Sequence, residues 1–190
     1  MEHNPHSFFN LYHGTIQGHI NEILKTKQFI FKSRNDHWLG NGVYFFVDDI
    51  NKAIWWSEMA TRRFNKTQED RGILFIEGYK IKREKLLDLD SEKDREKMTN
   101  FWKNNQKTVR MNLTSKDEEQ RKIEARAKLI NVLVDYHKMS AVKYTFHKDH
   151  VNKMSFLENL DLSNNEIQFC IVDTDSINFK KVRDITQEVI

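Results

Sequence analysis

Three short stretches of the chain carry side chains suited to chemistry on a flat, charged ligand. They are His13 in L-Y-H-G-T (Leu11 to Thr15), Tyr44 in L-G-N-G-V-Y-F (Leu39 to Phe45), and Glu166 with Gln168 in N-N-E-I-Q-F-C-I-V (Asn164 to Val172). An imidazole can hydrogen-bond a hydroxyl, a phenol ring can stack on a heterocycle, and a carboxylate can stabilise a positive charge that develops during bond cleavage.

Each stretch lies where a strand gives way to something else. Phe8, Phe9, Leu11 and Tyr12 form an apolar, aromatic run that predicts a strand, and the run stops at Gly14. Thr15 is then expected to cap a helix whose core face carries Ile16, Ile20, Ile23 and Leu24. His13 at the strand end would project into a cleft, with Gly14 letting a ligand approach the backbone. Gly40 and Gly42 bracket Asn41 in a tight turn, and Val43 to Val47 reads as the next strand. Asp48, Asp49 and Asn51 start a helix whose body is Ala53, Ile54, Trp55, Trp56, Met59 and Ala60, where a flat cationic ligand would find stacking partners. In the third stretch Ile167, Phe169 and Ile171 alternate with Glu166, Gln168 and Cys170, so Glu166 and Gln168 share the face opposite the large apolar residues. Taken singly, His13 reads more readily as a hydrogen-bonded structural histidine, and Glu166 reads equally as a solvent-facing edge residue.

Together the three stretches resemble the ADP-ribosyltransferase superfamily, in the His-Tyr-Glu branch of diphtheria toxin and the poly(ADP-ribose) polymerases. L-Y-H-G-T looks like the first-strand H-G motif, L-G-N-G-V-Y-F-F followed by K-A-I-W-W like the G-x-G-x-Y-F segment and its aromatic helix, and N-E-I-Q-F-C-I-V like the strand bearing the glutamate. Trp38-Leu39-Gly40 with the helix tryptophans further resembles small bacterial ADP-ribosyltransferase toxins, some belonging to toxin-antitoxin and phage-defence systems. The resemblance implies an α+β fold, with short strands in two small sheets split around an NAD cleft and flanking helices.

It also implies roles for individual residues. His13, Tyr44 and Glu166 form the catalytic triad; His13 binds a ribose hydroxyl, the backbone of Gly14 holds the nicotinamide carboxamide, Tyr44 and Trp55 stack on the nicotinamide, and Thr15 and Ser33 complete the NAD-binding set. Glu166 stabilises the charge that develops as the glycosidic bond breaks. Lys52 stands where a small residue is usual, which puts a cation in the pocket wall, suited to phosphate. NAD is then a co-substrate and no metal is needed. The implied activity is transfer of single ADP-ribose units to a macromolecule with release of nicotinamide. RNA is favoured over protein as acceptor, and an antitoxin protein is the implied partner. The alternatives are protein-directed transfer, an NAD glycohydrolase, and a non-catalytic module that binds ADP-ribose or a partner.

Composition is compatible with that picture. At 190 residues the chain suits one domain spanning residues 1–190. No stretch approaches the ~20 apolar residues of a membrane span and the N-terminus lacks an apolar signal core, so a cytoplasmic location and no membrane partner are expected. Cys170 is the sole cysteine and sits in an apolar strand, which points to packing. The eight histidines are scattered, and His147 with His150 lack partners at zinc-site spacing. The net charge of +3 permits a nucleic-acid partner without demanding one. Arg62, Arg63, Lys66 and Arg71 cluster after the tryptophan helix. Lys143, His147, Lys148, His150 and Lys153 cluster among aromatics, either as a segment that tracks phosphates while stacking bases or as a solvated loop. With Gln168, Lys143 to Lys153 is the expected acceptor-recognition segment.

The rest of the chain supplies scaffold. Gly72 to Ile81 reads as a strand with Leu86 to Leu89 as a short continuation, Ser91 to Asn104 as a helix, and Asp117 to Met139 as the longest helix, with Ile123, Ala127, Ile130, Val134 and His137 on one face. A late strand around Val182 to Ile185 closes the sheet. A dinucleotide-binding Rossmann arrangement is excluded, because no G-x-G-x-x-G joins a strand to a helix.

Overall fold

The computed structural model describes residues 5–34, 37–107, 113–147 and 165–190. Seven strands form one sheet in the order β4-β5-β6-β2-β1-β3-β7: β1 His6–Ile16, β2 Val43–Val47, β3 Arg71–Lys82, β4 Leu86–Asp88, β5 Ala141–Phe146, β6 Glu166–Ile171 and β7 Val182–Asp184. Five helices complete the mixed α+β architecture: α1 Gln17–Thr26, α2 Ile50–Arg63, α3 Glu92–Asn105, α4 Glu118–His137 and α5 Thr186–Val189. Every strand pair is antiparallel except β4 with β5. Among the described residues no helix is long and apolar enough to cross a membrane.

The sheet is continuous where two small sheets were expected, but its middle is only lightly stitched. β1 pairs with β3 at ten positions and with β2 at two, Leu11 opposite Val47 and Tyr12 opposite Phe46. Beyond Tyr12 the strands part, and the His13 side chain bridges them by donating from Nδ1 to the Tyr44 carbonyl at 2.8 Å.

Strand alternation sorts the apolar residues onto two faces. One face carries Leu11, Phe45, Leu74, Ile76, Phe169 and Ile171, covered by Ile20 and Ile23 of α1 with Phe29 and Phe179. On the other, α3 and α4 bury Val142 and Cys170 beneath Phe101, Ile130 and Leu133. Ala53 of α2 and Ile185 before α5 bury Phe46, Ile73 and Phe75 on that same face. Two covering layers on one face leave a gap above β2, β6 and β5.

The way α2 sits on the sheet follows from its small residues. Its buried stripe is Ala53, Ser57 and Thr61, spaced four apart, and the tryptophans lie off that stripe. A Cβ on Gly14 would stand 1.8 Å from the Ala53 carbonyl oxygen and 2.8 Å from the Ser57 amide nitrogen, so β1 has room for the helix only because residue 14 has no side chain. Packing by small residues turns Lys52, Trp55, Trp56 and Arg63 toward the gap, where the sequence expected the tryptophans to serve as stacking partners for a ligand.

Several expectations for scaffold elements need adjustment. Leu86 to Asp88 does not prolong β3 but crosses to the far edge of the sheet, where it pairs in parallel with β5. β5 occupies part of the segment read as an acceptor-recognition stretch. The strands at residues 43–47, 71–82 and 182–184 and the helices at 92–105 and 118–137 match their sequence signals, and Asp117 caps α4 by accepting from the Gln120 amide at 2.8 Å.

Candidate active site

The glycine turn fixes Tyr44. Gly40 adopts φ +83°, and a Cβ there would stand 2.5 Å from Asn131 Oδ1 of α4. That same oxygen accepts from the Asn41 amide at 2.7 Å, so α4 grips the turn directly. The Tyr44 hydroxyl accepts from the Leu39 amide and donates to the Gly40 carbonyl, both at 2.8 Å. Burial, with the neighbouring Cys170 thiol, pushes the Tyr44 phenol far above its usual range. The hydroxyl is therefore a neutral clamp on the turn, and what Tyr44 offers the gap is its ring.

Above this turn lies a cavity of about 1140 Å³. Tyr44, Gln168, Glu166 and Phe146 form its floor, the α2 residues Asn51, Lys52, Trp55, Trp56 and Arg63 with Asp49 form one wall, and Arg34, His37, Trp38 and His147 line the rest. The alternation expected for β6 holds: Cys170 is buried under Tyr44's side of the sheet, while Glu166 and Gln168 open into the cavity. Burial also pushes the Cys170 thiol up, which keeps it an inert packing group.

Both Glu166 carboxylate oxygens are engaged. Oε2 lies 3.0 Å from Lys52 Nζ, and Oε1 accepts from the buried Gln168 side-chain amide. Lys52 is also 5.9 Å over the Trp55 ring, so one ammonium connects the carboxylate with the aromatic wall. Asp49 holds the start of α2 by accepting from the Lys52 amide at 3.0 Å. The cation expected to face phosphate is thus paired with the carboxylate that the sequence pattern singled out.

Of the residues expected to act together, Tyr44, Trp55, Glu166, Gln168 and His147 meet in this cavity. His13 does not. Its ring lies on the opposite face of the sheet, 5.5 Å from Phe45 and 6.2 Å from Phe29, and burial lowers its pKa. The donated bond to Tyr44 O sets the tautomer with the proton on Nδ1. Gly14 is a helix-packing position, its free side taken by α2. Thr15 does not cap α1, because β1 continues through Ile16 and the Thr15 hydroxyl bonds His19 Nδ1 at 3.0 Å. Ser33 is exposed and outside the cavity lining.

The acceptor-recognition set also divides. Lys143 points to the face away from the cavity, into Asp88 at 2.9 Å and Asp90, and only 15% of its side chain is exposed. Burial would lower its pKa, but the two carboxylates outweigh that and raise it, so Lys143 is a structural cation. His147 lines the cavity and its Nδ1 contacts Asn165 Oδ1 at 3.0 Å. Lys148, His150 and Lys153 lie outside the described residues.

Sequence reasoning overlooked Phe146 and Arg126. Phe146 packs against Trp38 with ring centroids 5.0 Å apart, and Arg126 of α4 sits 5.9 Å from the Phe146 ring. The Nε of Arg126 is buried without a hydrogen-bond partner, and burial lowers its pKa. The alternation of Tyr144 and Phe146 in a short strand was the available signal, masked by the basic residues that follow. Among the described residues no group of three or more His, Cys, Asp or Glu side chains could hold a metal ion.

Comparison with known proteins leaves the cavity without a named precedent. The chain is similar to an uncharacterized protein of Methanocaldococcus jannaschii, 34% identical over 58 residues, which covers 30% of this chain and 27% of that one. No family model matches. No solved structure matches either.

Proposed function

We propose that the protein is an NAD-dependent ADP-ribosyltransferase that moves single ADP-ribose units from NAD to a macromolecule, with nucleic acid, and RNA within it, favoured over protein. The observation that carries this reading is the convergence of Tyr44, Trp55 and Glu166, from three separate sequence stretches, on one cavity. Two aromatic rings suit a planar leaving group, and a carboxylate beside them suits the positive charge left on the ribose as the carbon–nitrogen bond breaks. In that reaction nicotinamide departs with the bonding electron pair, the acceptor's nucleophile adds to the ribose carbon, and the acceptor loses a proton. The charge on Glu166 is preorganised by Lys52 and Gln168, which hold its two oxygens in place before substrate enters. His13 contributes at a distance, by bridging β1 to the Tyr44 backbone.

Two observations favour a second reading, a module that binds ADP-ribose without cleaving NAD. His13 faces away from the cavity, and each Glu166 oxygen already has a partner, Lys52 or Gln168. The deciding experiment incubates the protein with NAD labelled on its adenylate half and, separately, RNA, DNA and cell protein. Label on one of them, reduced about 100-fold or more in Glu166→Ala and Tyr44→Ala, supports transfer and names the acceptor class. Nicotinamide release without labelled polymer means a glycohydrolase, and neither product means a binding module. A toxin role, with a neutralising partner protein, rests on the resemblance alone and predicts poor growth of cells that express the active chain by itself.

A further inference from the structure

Arg126 carries a positive charge that its surroundings do not neutralise. It sits within α4, and the residues three and four away on either side, Lys122, Ile123, Leu129 and Ile130, supply no carboxylate. The nearest acid on that helix, Glu124, is turned to Thr114 and Ser115, accepting from the Thr114 amide and hydroxyl and from the Ser115 amide. Glu166 faces Phe146 across the β5–β6 pair, but Lys52 and Gln168 hold it. The ionisable groups that bear on the guanidinium are the phenols of Tyr44 and Tyr144, which offer dipoles and no countercharge. Among the described residues Arg126 makes no ion pair and no hydrogen bond.

Such a group costs the fold, because desolvation opposes the charge and the Nε hydrogen is sealed from water with nothing to accept it. The Phe146 ring, 5.9 Å away, returns a cation–π contact but leaves every N–H unbonded. Of the three guanidinium nitrogens only Nε is closed off, so the two Nη groups stay open to what arrives from outside. Arg126 also borders the cavity floor. It backs the Phe146 ring, and it is close enough to Tyr44 for its charge to act on that phenol. A half-buried cation with open N–H groups beside a cavity is built to receive an anion, and the planar guanidinium fork matches two oxygens of one phosphate or carboxylate.

We propose that Arg126 is the anion anchor of the cavity, holding an oxyanion of a ligand whose planar group rests on Tyr44. The two cations on either side of the gap then have different duties: Lys52 on α2 fixes the Glu166 carboxylate, and Arg126 on α4 takes the charge that the ligand brings. Naming that oxyanion as the pyrophosphate of NAD rests on the transferase reading, whereas the anion site itself does not.

The test follows binding by tryptophan fluorescence, since Trp38, Trp55 and Trp56 line the cavity. The parent protein, Arg126→Gln and Arg126→Lys are titrated with pyrophosphate, ADP-ribose and acetate at constant ionic strength, with chloride as the reference anion. Pyrophosphate and ADP-ribose should bind the parent well above chloride, lose about tenfold or more in affinity in Arg126→Gln, and recover in part in Arg126→Lys. Acetate binding tighter than pyrophosphate would make a carboxylate the occupant. Urea unfolding supplies the second readout: without ligand Arg126→Gln should be as stable as the parent or more so, with an unchanged tryptophan emission maximum, because it removes an unpaired charge. No anion binding above chloride in the parent, or equal affinities in all three proteins, overturns the anchor. So does a destabilised Arg126→Gln with a shifted emission maximum and no recovery in Arg126→Lys, the behaviour of an arginine that only packs on Phe146. Loss of pyrophosphate binding in Arg126→Gln by a protein that never releases nicotinamide keeps the anchor and discards the transferase. Transfer from NAD with KM and pyrophosphate affinity both unchanged in Arg126→Gln does the reverse.

Discussion

Gly14→Ala separates the sequence reading of that glycine from the structural one. If Gly14 exists to let a ligand approach, the methyl group should spare stability and weaken only binding. In the structure the added Cβ would meet backbone, 1.8 Å from Ala53 O and 2.8 Å from Ser57 N. Restoring ordinary van der Waals contact requires α2 to retreat by about 1.6 Å from β1, and no flexible side chain can absorb that shift. Overpacking of a core typically costs about 1–3 kcal/mol, and a backbone-on-backbone clash belongs at the upper end or above it. For a domain of this size about 3 kcal/mol corresponds to a drop in Tm of roughly 6–12 °C. The assay is thermal unfolding followed by circular dichroism, with Gly18→Ala as control: Gly18 lies in α1 with nothing within 4 Å of its added Cβ, so that change should stabilise by about 0.5–1 kcal/mol. A loss below about 0.5 kcal/mol in Gly14→Ala would refute the packing argument. A shifted helix would also displace Lys52 and Trp55, so the tryptophan emission should change along with the Tm.

Three further outcomes follow from the geometry. Tyr44→Phe keeps the ring and removes the clamp on Leu39 and Gly40, so it should cost about 1–3 kcal/mol in denaturant unfolding while ADP-ribose affinity falls less than in Tyr44→Ala. Lys143→Met strands Asp88 and Asp90 on the face away from the cavity; it should destabilise by about 2–3 kcal/mol and leave oligonucleotide affinity unchanged, and an affinity loss without destabilisation would restore Lys143 as a recognition residue. His13 has a lowered pKa in the folded protein, so the unfolded chain takes up its proton first: stability should decline as pH falls below about 6.5, the unfolded value, and continue to decline toward the lower folded value. His13→Gln should flatten that acidic slope in unfolding measurements between about pH 5 and 7, and an unchanged slope would count against burial of a neutral ring.

The local elements were legible in the sequence because their signals are local. β-branched and aromatic residues marked β2, alternation marked β6, the buried face at Ala127, Ile130 and Val134 marked α4, and Asp49 and Asp117 stand at helix starts that their side chains do cap. The same alternation already placed Glu166, Gln168 and Cys170 on one face of β6, and the apolar setting of Cys170 pointed to its packing.

What the tertiary structure decided is which side chains meet, because that depends on the side of the sheet each strand presents and on what covers it. His13 and Tyr44 belong to neighbouring strands but point to opposite faces, since Tyr12 pairs with Phe46 and the His13 ring packs with Phe45 on the other side. Gly14 carries the mark of a ligand site in sequence and the job of a helix seat in space, because glycine answers any demand for close approach equally. Lys143 and His147 are four residues apart in a basic run, yet the first turns to a pair of aspartates behind the sheet and the second to the cavity. Residue types and order determined which chemical groups the chain carries; the stripe of small residues on α2, by setting that helix directly on β1, decided that Lys52, Trp55 and Glu166 meet.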